Sequence, residues 1–215
     1  MNGGASSPEA GACRPGGSPT PDRAFARLVA DVQLCRRCPR MEGRRRVLGY
    51  ANGSLSARLL FVAEAPGRLG AEVSGVPLTG DRAGRTFAAL LEAGGFERSA
   101  IFVTNAVLCN PRDAAGRNDR PTCREVANCG PHLVRLLQIL RPDWVVTLGA
   151  VALHAVGRVM PHGLVLGRDV GRPIAWNGSR LVPLYHPGPR ALIHRPLAVQ
   201  RVDYERLGAL VAATG

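Results

Sequence analysis

The sequence predicts an α/β fold, a three-layer α/β/α sandwich around a short, mostly parallel four-stranded sheet. Four short apolar runs without polar alternation are typical of strands buried on both faces, and they cover residues 58–63, 101–105, 144–148 and 181–185. Helix-length segments separate these runs, as expected for parallel strands joined by crossovers. Pro183 interrupts the last run, and because proline cannot donate to a strand ladder, we expect this strand at an edge of the sheet.

The helical segments follow from spacing and from start signals. They cover roughly residues 22–35, 82–94, 122–140, 149–158 and 196–213. The third begins after Pro121 and carries apolar residues near helical spacing.

Polar segments with proline or glycine directly follow the first, second and fourth strands. Because open α/β sheets bind ligands beyond the carboxyl ends of their strands, this order of elements predicts a functional site at that edge.

Length and composition predict one domain preceded by a short tail. A chain of 215 residues, 46% of them hydrophobic, can bury one sizeable core, which we place in residues 21–215. Residues 1–20 are mainly Gly, Pro, Ser and Ala and predict a disordered N-terminal tail, in which Cys13 is a free thiol. The sequence shows neither a secretory signal nor an apolar run of membrane-spanning length, so we expect a cytoplasmic protein. A reducing cytoplasm favours metal-bound cysteines over disulfides.

The charge of the chain points to a polyanionic partner. The formal net charge is +12, although an arginine-rich composition explains part of this value. All 28 basic residues are arginine. The absence of lysine excludes a phosphate-binding P-loop, and it excludes Schiff-base chemistry except through the terminal amine.

Four cysteines have the pattern of a metal site. Cys35 and Cys38 form a C-x-x-C pair, Cys109 follows the second strand, and we expect Cys129 to open the helix after the next polar loop. Such a set can close four-thiolate coordination around zinc or an iron–sulfur cluster. Thioredoxin-like redox chemistry is the alternative. That motif normally follows a strand and opens a helix, whereas this pair closes a helix ahead of Pro39, which favours a metal.

Two carboxylates follow the first strand. Glu64 begins the segment Glu64-Ala65-Pro66-Gly67, where backbone N–H groups near Ala65 and Gly67 are candidates for an anion-binding nest. The alternative is an ordinary strand exit with a solvated glutamate. Asp81 begins the second helix, where it either caps the helix or holds a water molecule.

An amide and an imidazole end two further strands. Asn105 ends the second strand, and its side chain suits the edge of a nucleobase, although a turn residue is the simpler interpretation. His186 precedes Pro187 at the end of the fourth strand, where its imidazole could donate a hydrogen bond to a developing anion. The remaining histidines lack such a setting and are interpreted as structural or surface residues: His132, His154, His162 and His194.

Five motifs in this order resemble the iron–sulfur uracil-DNA glycosylases of the uracil-DNA glycosylase superfamily, from about Cys35 to the C-terminus. The motifs are Cys35-x-x-Cys38, Glu64-Ala65-Pro66-Gly67, Asn105-Ala106-Val107-Leu108-Cys109, Cys129 ahead of Leu148-Gly149-Ala150, and His186-Pro187. The motif with Glu64 is similar to one branch, family 4. The segment Thr79-Gly80-Asp81-Arg82-Ala83-Gly84 is similar to the other, family 5, in which an aspartate at this place acts on water.

The resemblance implies a monofunctional DNA glycosylase of base excision repair, which flips uracil out of DNA and hydrolyses its N-glycosidic bond. Other deaminated bases are further candidate substrates. It implies a monomeric, bacterial, nucleoid-associated enzyme that acts on single- or double-stranded DNA. It also implies a [4Fe–4S] cluster on Cys35, Cys38, Cys109 and Cys129, with Cys13 and Cys123 unbound.

The resemblance assigns roles to further residues. The implied catalytic residues are Asp81, His186 and Glu64, and the implied base-binding residues are Ala65, Gly67, Leu78 and Asn105. The implied DNA contacts are Arg36, Arg37, Arg190, Leu192, Ile193 and Arg195. Leu192 and Ile193 would wedge into the vacated base stack.

The chain departs from the family at three places. Leu78 replaces the usual phenylalanine that stacks on the flipped base, a second acidic residue is missing unless Glu72 substitutes for it, and the loop between Cys109 and Cys129 is longer than usual.

Two alternatives from other classes remain. One is a non-catalytic nucleic-acid-binding module with a structural zinc, and the other is a hydrolase of small nucleotides or nucleosides.

Overall fold

A five-stranded sheet forms the centre of the molecule, in the order β2-β1-β3-β5-β4. Its strands are β1 Leu59–Ala63, β2 Ile101–Asn105, β3 Trp144–Leu148, β4 Ile174–Trp176 and β5 Ser179–Leu184. β1 pairs in parallel with both β2 and β3, and β3 pairs in parallel with β5. Only β4 is antiparallel, to β5. The predicted α/β class with a mostly parallel sheet is therefore confirmed.

The predicted number of strands was wrong, because β4 was missed. β4 has three residues and forms a hairpin with β5 across Asn177 and Gly178, whose φ angles are +47° and +76°. Two positive φ angles define a type I′ turn, and Asn-Gly is its preferred sequence. The predicted edge position of β5 was also wrong, since β4 covers it. Pro183 nevertheless lies beyond the last β4 pair, Ile174 with Leu181, so the missing N–H does not interrupt that ladder.

This computed structural model describes Met1 and residues 20–214. The predicted tail, with its Cys13, lies outside the described residues apart from Met1 and Thr20. The helices are α1 Pro21–Gln33, α2 Ala71–Ser74, α3 Arg82–Ala93, α4 Cys123–Leu140, α5 Ala150–Val159, α6 Leu166–Asp169, α7 Pro189–His194 and α8 Leu197–Ala212. The five long helices match the predicted segments to within two residues at each end. The short helices α2, α6 and α7 were not predicted, because four to six residues carry too little periodicity.

Helices pack on both faces of the sheet and form two cores. On one face, α1, α4 and α5 bury apolar side chains against Leu60 and Val62 of β1. On the other face, α3 and α8 pack against Phe61, which stacks on Tyr204 with ring centroids 6.1 Å apart. This alternation along one strand is the three-layer arrangement that the sequence predicted. No helix among the described residues is long and apolar enough to cross a membrane.

The start of α4 corrects the predicted position of Cys129. The helix begins at Cys123 after Thr122, whose hydroxyl accepts from the Glu125 N–H while the Glu125 carboxylate accepts from the Thr122 N–H. This capping box fixes the first turn. Cys129 therefore does not open the helix but lies in its second turn, where it packs against the core.

Candidate active site

The carboxyl ends of β1, β2, β3 and β5 lie at one edge of the sheet because these strands are mutually parallel. Ala63 at the end of β1 is in register with Asn105 at the end of β2. Glu64 follows β1, and His186 lies two residues beyond β5. The topology thus brings together the side chains that the sequence placed after separate strands.

The turn after β1 is hydrogen-bonded to the segment after β2, while two of its N–H groups have no partner within the described residues. Its strand-like pairing continues past β2, since the Ala106 N–H donates to the Ala63 carbonyl at 2.8 Å and the Val107 N–H to the Glu64 carbonyl at 3.1 Å. In the described part of the chain, the N–H groups of Ala65 and Gly67 donate to no protein acceptor. These two donors are available for a ligand, as the anion-binding interpretation requires.

Glu64 is partly buried at the start of this turn. Burial raises the pKa of its carboxyl above the usual value, and the positive charges of Arg120 and Arg190 oppose that rise. These two arginines come from different parts of the chain, the loop before α4 and helix α7. Glu64 therefore lies where two basic segments approach the strand ends.

Asp81 is the N-cap of α3 and also faces the turn after β1. Its Oδ1 accepts from the Gly84 N–H at 2.9 Å, which is the capping role. Its Oδ2 accepts none of the hydrogen bonds within the described residues, and it lies against Gly67 and Gly70. A Cβ at either glycine would come within 2.5 and 2.6 Å of this oxygen. Both glycines are therefore needed for the close approach of the carboxylate to the turn.

His186 is held as a neutral imidazole. Its Nδ1 accepts from the Gly188 N–H at 2.9 Å, so the ring proton of the neutral form is on Nε2. Burial lowers the pKa of His186 to about 4, and the negative charge of Asp81 only partly opposes this effect. Gly149 lies next to the histidine, and its φ angle of +94° favours glycine, whereas a Cβ there would be in ordinary contact with the His186 Cβ at 3.4 Å. The ring is thus a hydrogen-bond donor through Nε2 at neutral pH.

Asn105 has a buried donor without a partner. Only 3% of the residue is exposed, and its Nδ2 has no hydrogen-bond partner among the described residues. An unpaired buried amide costs about 1–3 kcal/mol, so such groups call for an explanation. A ligand acceptor at this strand end would remove that cost.

Leu78 is half-buried and precedes the loop that leads to Asp81. Its φ angle is +51°, a left-handed conformation that is uncommon for leucine. The first turn of α3 packs tightly behind it, since a Cβ at Gly84 would come within 2.7 Å of the Leu78 carbonyl oxygen. The position of Leu78 is therefore fixed by its backbone rather than by side-chain packing alone.

The four cysteines of the predicted metal site line one cavity of about 130 Å³. Burial raises the pKa of Cys109 to about 11 and that of Cys129 to about 12, and the neighbouring cysteines add to both shifts. Two N–H groups point at the sulfurs, from Leu108 to the Cys129 Sγ at 3.4 Å and from the Asn128 side chain to the Cys38 Sγ at 3.5 Å. Cys123 is exposed and does not line the cavity.

These thiols are not assembled as a site for a single metal ion. Within the described residues, no three or more His, Cys, Asp or Glu side chains are grouped as one metal ion requires. Zinc holds its sulfurs at about 2.3 Å, which places them about 4 Å apart. Four thiols around one cavity are the donor set that zinc and iron–sulfur clusters both use.

The predicted DNA contacts divide into two kinds. Ile193, 80% exposed, and Arg190 project from the short helix α7 next to the His186 turn, and Leu192 there is half-buried. Arg195, by contrast, donates two hydrogen bonds of 2.5 and 2.6 Å to the buried Asp203 carboxylate. This ion pair joins α7 to α8 through the Nε and Nη2 groups of Arg195, and its contact with DNA stays a prediction.

The two exposed arginines of the C-x-x-C loop have different surroundings. Arg36 makes a long ion pair with Glu42 at 3.9 Å, and Arg37 donates to the Asn128 carbonyl at 3.0 Å. Glu72, the candidate for the second acid, has its carboxylate bound to Arg112 at 2.5 Å. His132 is buried near Cys129, and neither ring nitrogen has a hydrogen-bond partner among the described residues.

Arg40 is a residue that the sequence did not single out. Its guanidinium binds both oxygens of Glu125 at 2.9 and 2.7 Å and reaches Asp119 at 2.5 Å. This network joins the segment after Cys38 to the start of α4 and to the loop before it. Its only sequence signal was the position of Arg40 two residues after the C-x-x-C pair.

The comparisons with known proteins agree with this geometry. The model of the Uracil DNA glycosylase superfamily matches residues 50–203. A type-4 uracil-DNA glycosylase of Thermotoga maritima is 34% identical over 157 residues, which are 73% of this chain and 77% of that protein. A type-4 enzyme of Archaeoglobus fulgidus is 28% identical over 85% of this chain and 91% of its own length. A type-5 uracil-DNA glycosylase of Pyrobaculum aerophilum is 30% identical over 79% and 85%. These relatives confirm the resemblance to both branches, and the chain belongs to the uracil DNA glycosylase superfamily.

Proposed function

We propose that this protein excises uracil from DNA as a monofunctional glycosylase. The observation that carries the proposal is the convergence at one sheet edge of a neutral imidazole donor, an unpaired buried amide and two carboxylates, in a member of this superfamily. They are His186, Asn105, Asp81 and Glu64. The DNA would enter with the target nucleotide rotated out of the base stack.

The base would be recognised by donors that the protein leaves unpaired. The Asn105 side chain offers both an acceptor and donors, which suits the edge of uracil. The N–H groups of Ala65 and Gly67 would bind its carbonyl oxygen. Leu78 would contact the face of the ring in place of an aromatic side chain, which gives apolar contact without stacking.

Bond cleavage would be assisted by His186 and one carboxylate. As the N-glycosidic bond breaks, its electron pair moves onto the base, and the Nε2–H of His186 would donate to the oxygen that gains negative charge. Water would then add to the sugar carbon, oriented by Asp81 through the oxygen not used for capping. Glu64 is the other candidate for this role.

The four-cysteine cavity supports a [4Fe–4S] cluster on Cys35, Cys38, Cys109 and Cys129. Such a cluster, when bound, supplies four covalent iron–thiolate links and takes no step in the hydrolysis. The residues that would hold it come from the end of α1, the exit of β2 and the second turn of α4. Cys109 lies four residues after Asn105, so the cluster would stabilise the strand end that reads the base.

DNA contact would come from Arg190 and Ile193 on α7, with Arg36 and Arg37 further along the backbone path. Arginine–phosphate contacts give affinity that falls with salt, and an exposed isoleucine can fill the space of the flipped base. We propose that the enzyme acts as a monomer on single- or double-stranded DNA, in the cytoplasm and at the nucleoid, within base excision repair.

One experiment tests the proposal. The protein is incubated with oligonucleotides that contain uracil, hypoxanthine or xanthine, and alkali then cleaves the strand at each abasic site. We expect cleavage of the uracil strand, and cleavage at the other two bases would define a wider substrate range. No base release, with colourless protein that binds one zinc, would favour the zinc module. Release from free deoxyuridine but not from DNA would favour a nucleoside hydrolase.

A further inference from the structure

The loop after Cys109 binds the turn after β1 through two asparagine side chains. Asn110 is 1% exposed, and its Nδ2 donates to the Pro66 carbonyl at 2.6 Å and to the Asn118 Oδ1 at 2.9 Å. The same Asn118 oxygen accepts from the Arg68 N–H at 2.9 Å. The 110–118 loop, residues 110 to 118, thus holds the turn at Pro66 and at Arg68.

The loop is itself fixed by a third side chain. Arg112 donates through Nε to the Asn110 Oδ1 at 2.9 Å and through Nη2 to the Glu72 carboxylate of α2 at 2.5 Å. The amide of Asn110 is therefore bonded through both its oxygen and its nitrogen, which fixes its orientation. The Asp119 N–H closes the loop on the Pro111 carbonyl at 2.9 Å.

The two held groups flank Gly67 and determine the direction of its N–H. The Pro66 carbonyl and the Gly67 N–H belong to one planar peptide unit, so a bond to the carbonyl also orients the N–H. The Arg68 N–H belongs to the next peptide unit, which contains the Gly67 carbonyl. The Gly67 carbonyl itself accepts from the Gly70 and Glu72 N–H groups at 3.2 and 3.0 Å, so the asparagine bonds add to these in fixing a residue with wide conformational freedom.

We infer that Asn110 and Asn118 are positioning residues that aim the Gly67 N–H at the bound base. The inference rests on the proposed function, because it assigns a purpose to a donor that no acceptor within residues 20–214 uses. Neither asparagine touches the base. They act through the backbone, and the loop that carries them begins at the proposed cluster ligand Cys109.

The test compares three variants of exposed loop residues. Asn118→Ala removes the shared acceptor, whereas Asn118→Asp keeps an oxygen for both N–H donors. Arg117→Ala is the matched control, because Arg117 binds only Asp113 of the same loop. Single-turnover release of uracil and inhibition by free uracil are measured, and the second reports on the base pocket independently of DNA contacts.

We expect Asn118→Ala to lower the release rate about tenfold or more and to weaken uracil inhibition by a similar factor, the scale of a misplaced binding group. Affinity for DNA, visible absorbance and the thermal midpoint should not change, since the residue is exposed. Asn118→Asp should retain most of the rate, and Arg117→Ala all of it. Hydrogen exchange at the Arg68 amide should accelerate only in Asn118→Ala.

Several outcomes would overturn the inference. Equal rates for Asn118→Ala and Arg117→Ala would show that the turn is positioned without the loop. A lower rate with unchanged uracil inhibition would place the effect outside the base pocket. A lower rate accompanied by a lower thermal midpoint or lost absorbance would indicate a structural role. Wild-type protein that releases no uracil would instead overturn the proposed function, and this inference with it.

Discussion

Single residues at this site combine structural and chemical roles. Asp81 was open to two interpretations, a helix cap or a functional carboxylate, and the geometry is compatible with both because its two oxygens face different partners. Oδ1 caps α3, and Oδ2 lies against the glycines of the turn after β1. A residue of this kind is conformationally fixed before any ligand arrives, which lowers the cost of orienting a water molecule.

The role of His186 predicts a large loss of activity on substitution. His186→Ala removes the Nε2 donor, so the charge on the departing base loses a preorganised hydrogen bond. We expect single-turnover uracil release to fall by at least about a hundredfold, with DNA affinity unchanged because phosphate contacts supply most of it. The exposed His154→Ala is the control. A loss of less than about fivefold in His186→Ala would exclude the proposed role.

The lowered pKa of His186 predicts how its ring titrates. A solvated histidine becomes protonated near pH 6.5, whereas burial lowers the pKa of His186 to about 4. On going from pH 8 to pH 5.5 the ring should therefore stay neutral, with its proton on Nε2. The check is an NMR titration of the ring nitrogens in the folded protein. A titration step near pH 6.5 for His186 would contradict the buried, neutral donor.

Isosteric amide variants distinguish the roles of the two carboxylates. Asp81→Asn keeps an oxygen that can accept from the Gly84 N–H, so the helix cap survives while the charge is lost. If Asp81 orients the water, this variant should lose about a hundredfold in rate with an unchanged thermal midpoint. Glu64→Gln is measured beside it. A fully active Asp81→Asn together with an inactive Glu64→Gln would assign the role to Glu64.

At the scale of secondary-structure elements, the long helices and buried strands were predictable because each has a strong periodic pattern. The elements that were missed are short: β4 has three residues and α7 has six. For β4 a signal did exist in Asn177-Gly178, a dipeptide typical of type I′ hairpins. For α7 the contacts of Arg195 with Asp203 and with the Gln200 side chain show how the segment is held.

The site was predictable to the level of strand ends, since parallel strands must bring their carboxyl ends together. Its hydrogen bonds were not. No local sequence pattern marks Asn110. Its partner Pro66 lies in a distant segment of the chain, and its partner Arg112 contacts it only when the loop is folded. The ion pair of Arg195 was not predicted either, because its partner Asp203 is eight residues away on the next helix.

The position of Cys129 within α4 predicts which cysteines would bind the proposed cluster. Cys129 faces the shared cavity from the second turn, whereas Cys123 is exposed at the first helical residue. We expect purified wild-type protein to be brown, Cys129→Ser to lose the visible absorbance, and Cys123→Ser to keep it. Iron and sulfide analysis checks the stoichiometry. A colourless Cys123→Ser variant, or wild-type protein with one zinc, would reverse the assignment.

At the scale of the whole molecule, the net charge of +12 is the excess of 28 arginines over 16 carboxylates, and local ion pairs determine where that excess lies. Arg40, Arg112 and Arg195 bind carboxylates from other segments of the chain and so join those segments. The exposed Arg190 lies beside the strand ends, and its charge partly opposes the rise that burial causes in the pKa of Glu64. Positive charge near the cleft attracts the DNA backbone, and this attraction weakens as the salt concentration increases.

The absence of lysine from the whole chain predicts what happens after base release. A glycosylase that also cuts the strand forms a Schiff base between an amine and the opened sugar, and here no side-chain amine exists. The product should therefore be an intact abasic strand that breaks only on added alkali or heat. Borohydride added during turnover should trap no covalent protein–DNA adduct, with a lysine-dependent DNA lyase as the positive control. A trapped adduct, or strand scission at neutral pH by nuclease-free protein, would contradict the monofunctional mechanism and implicate the terminal amine as the nucleophile.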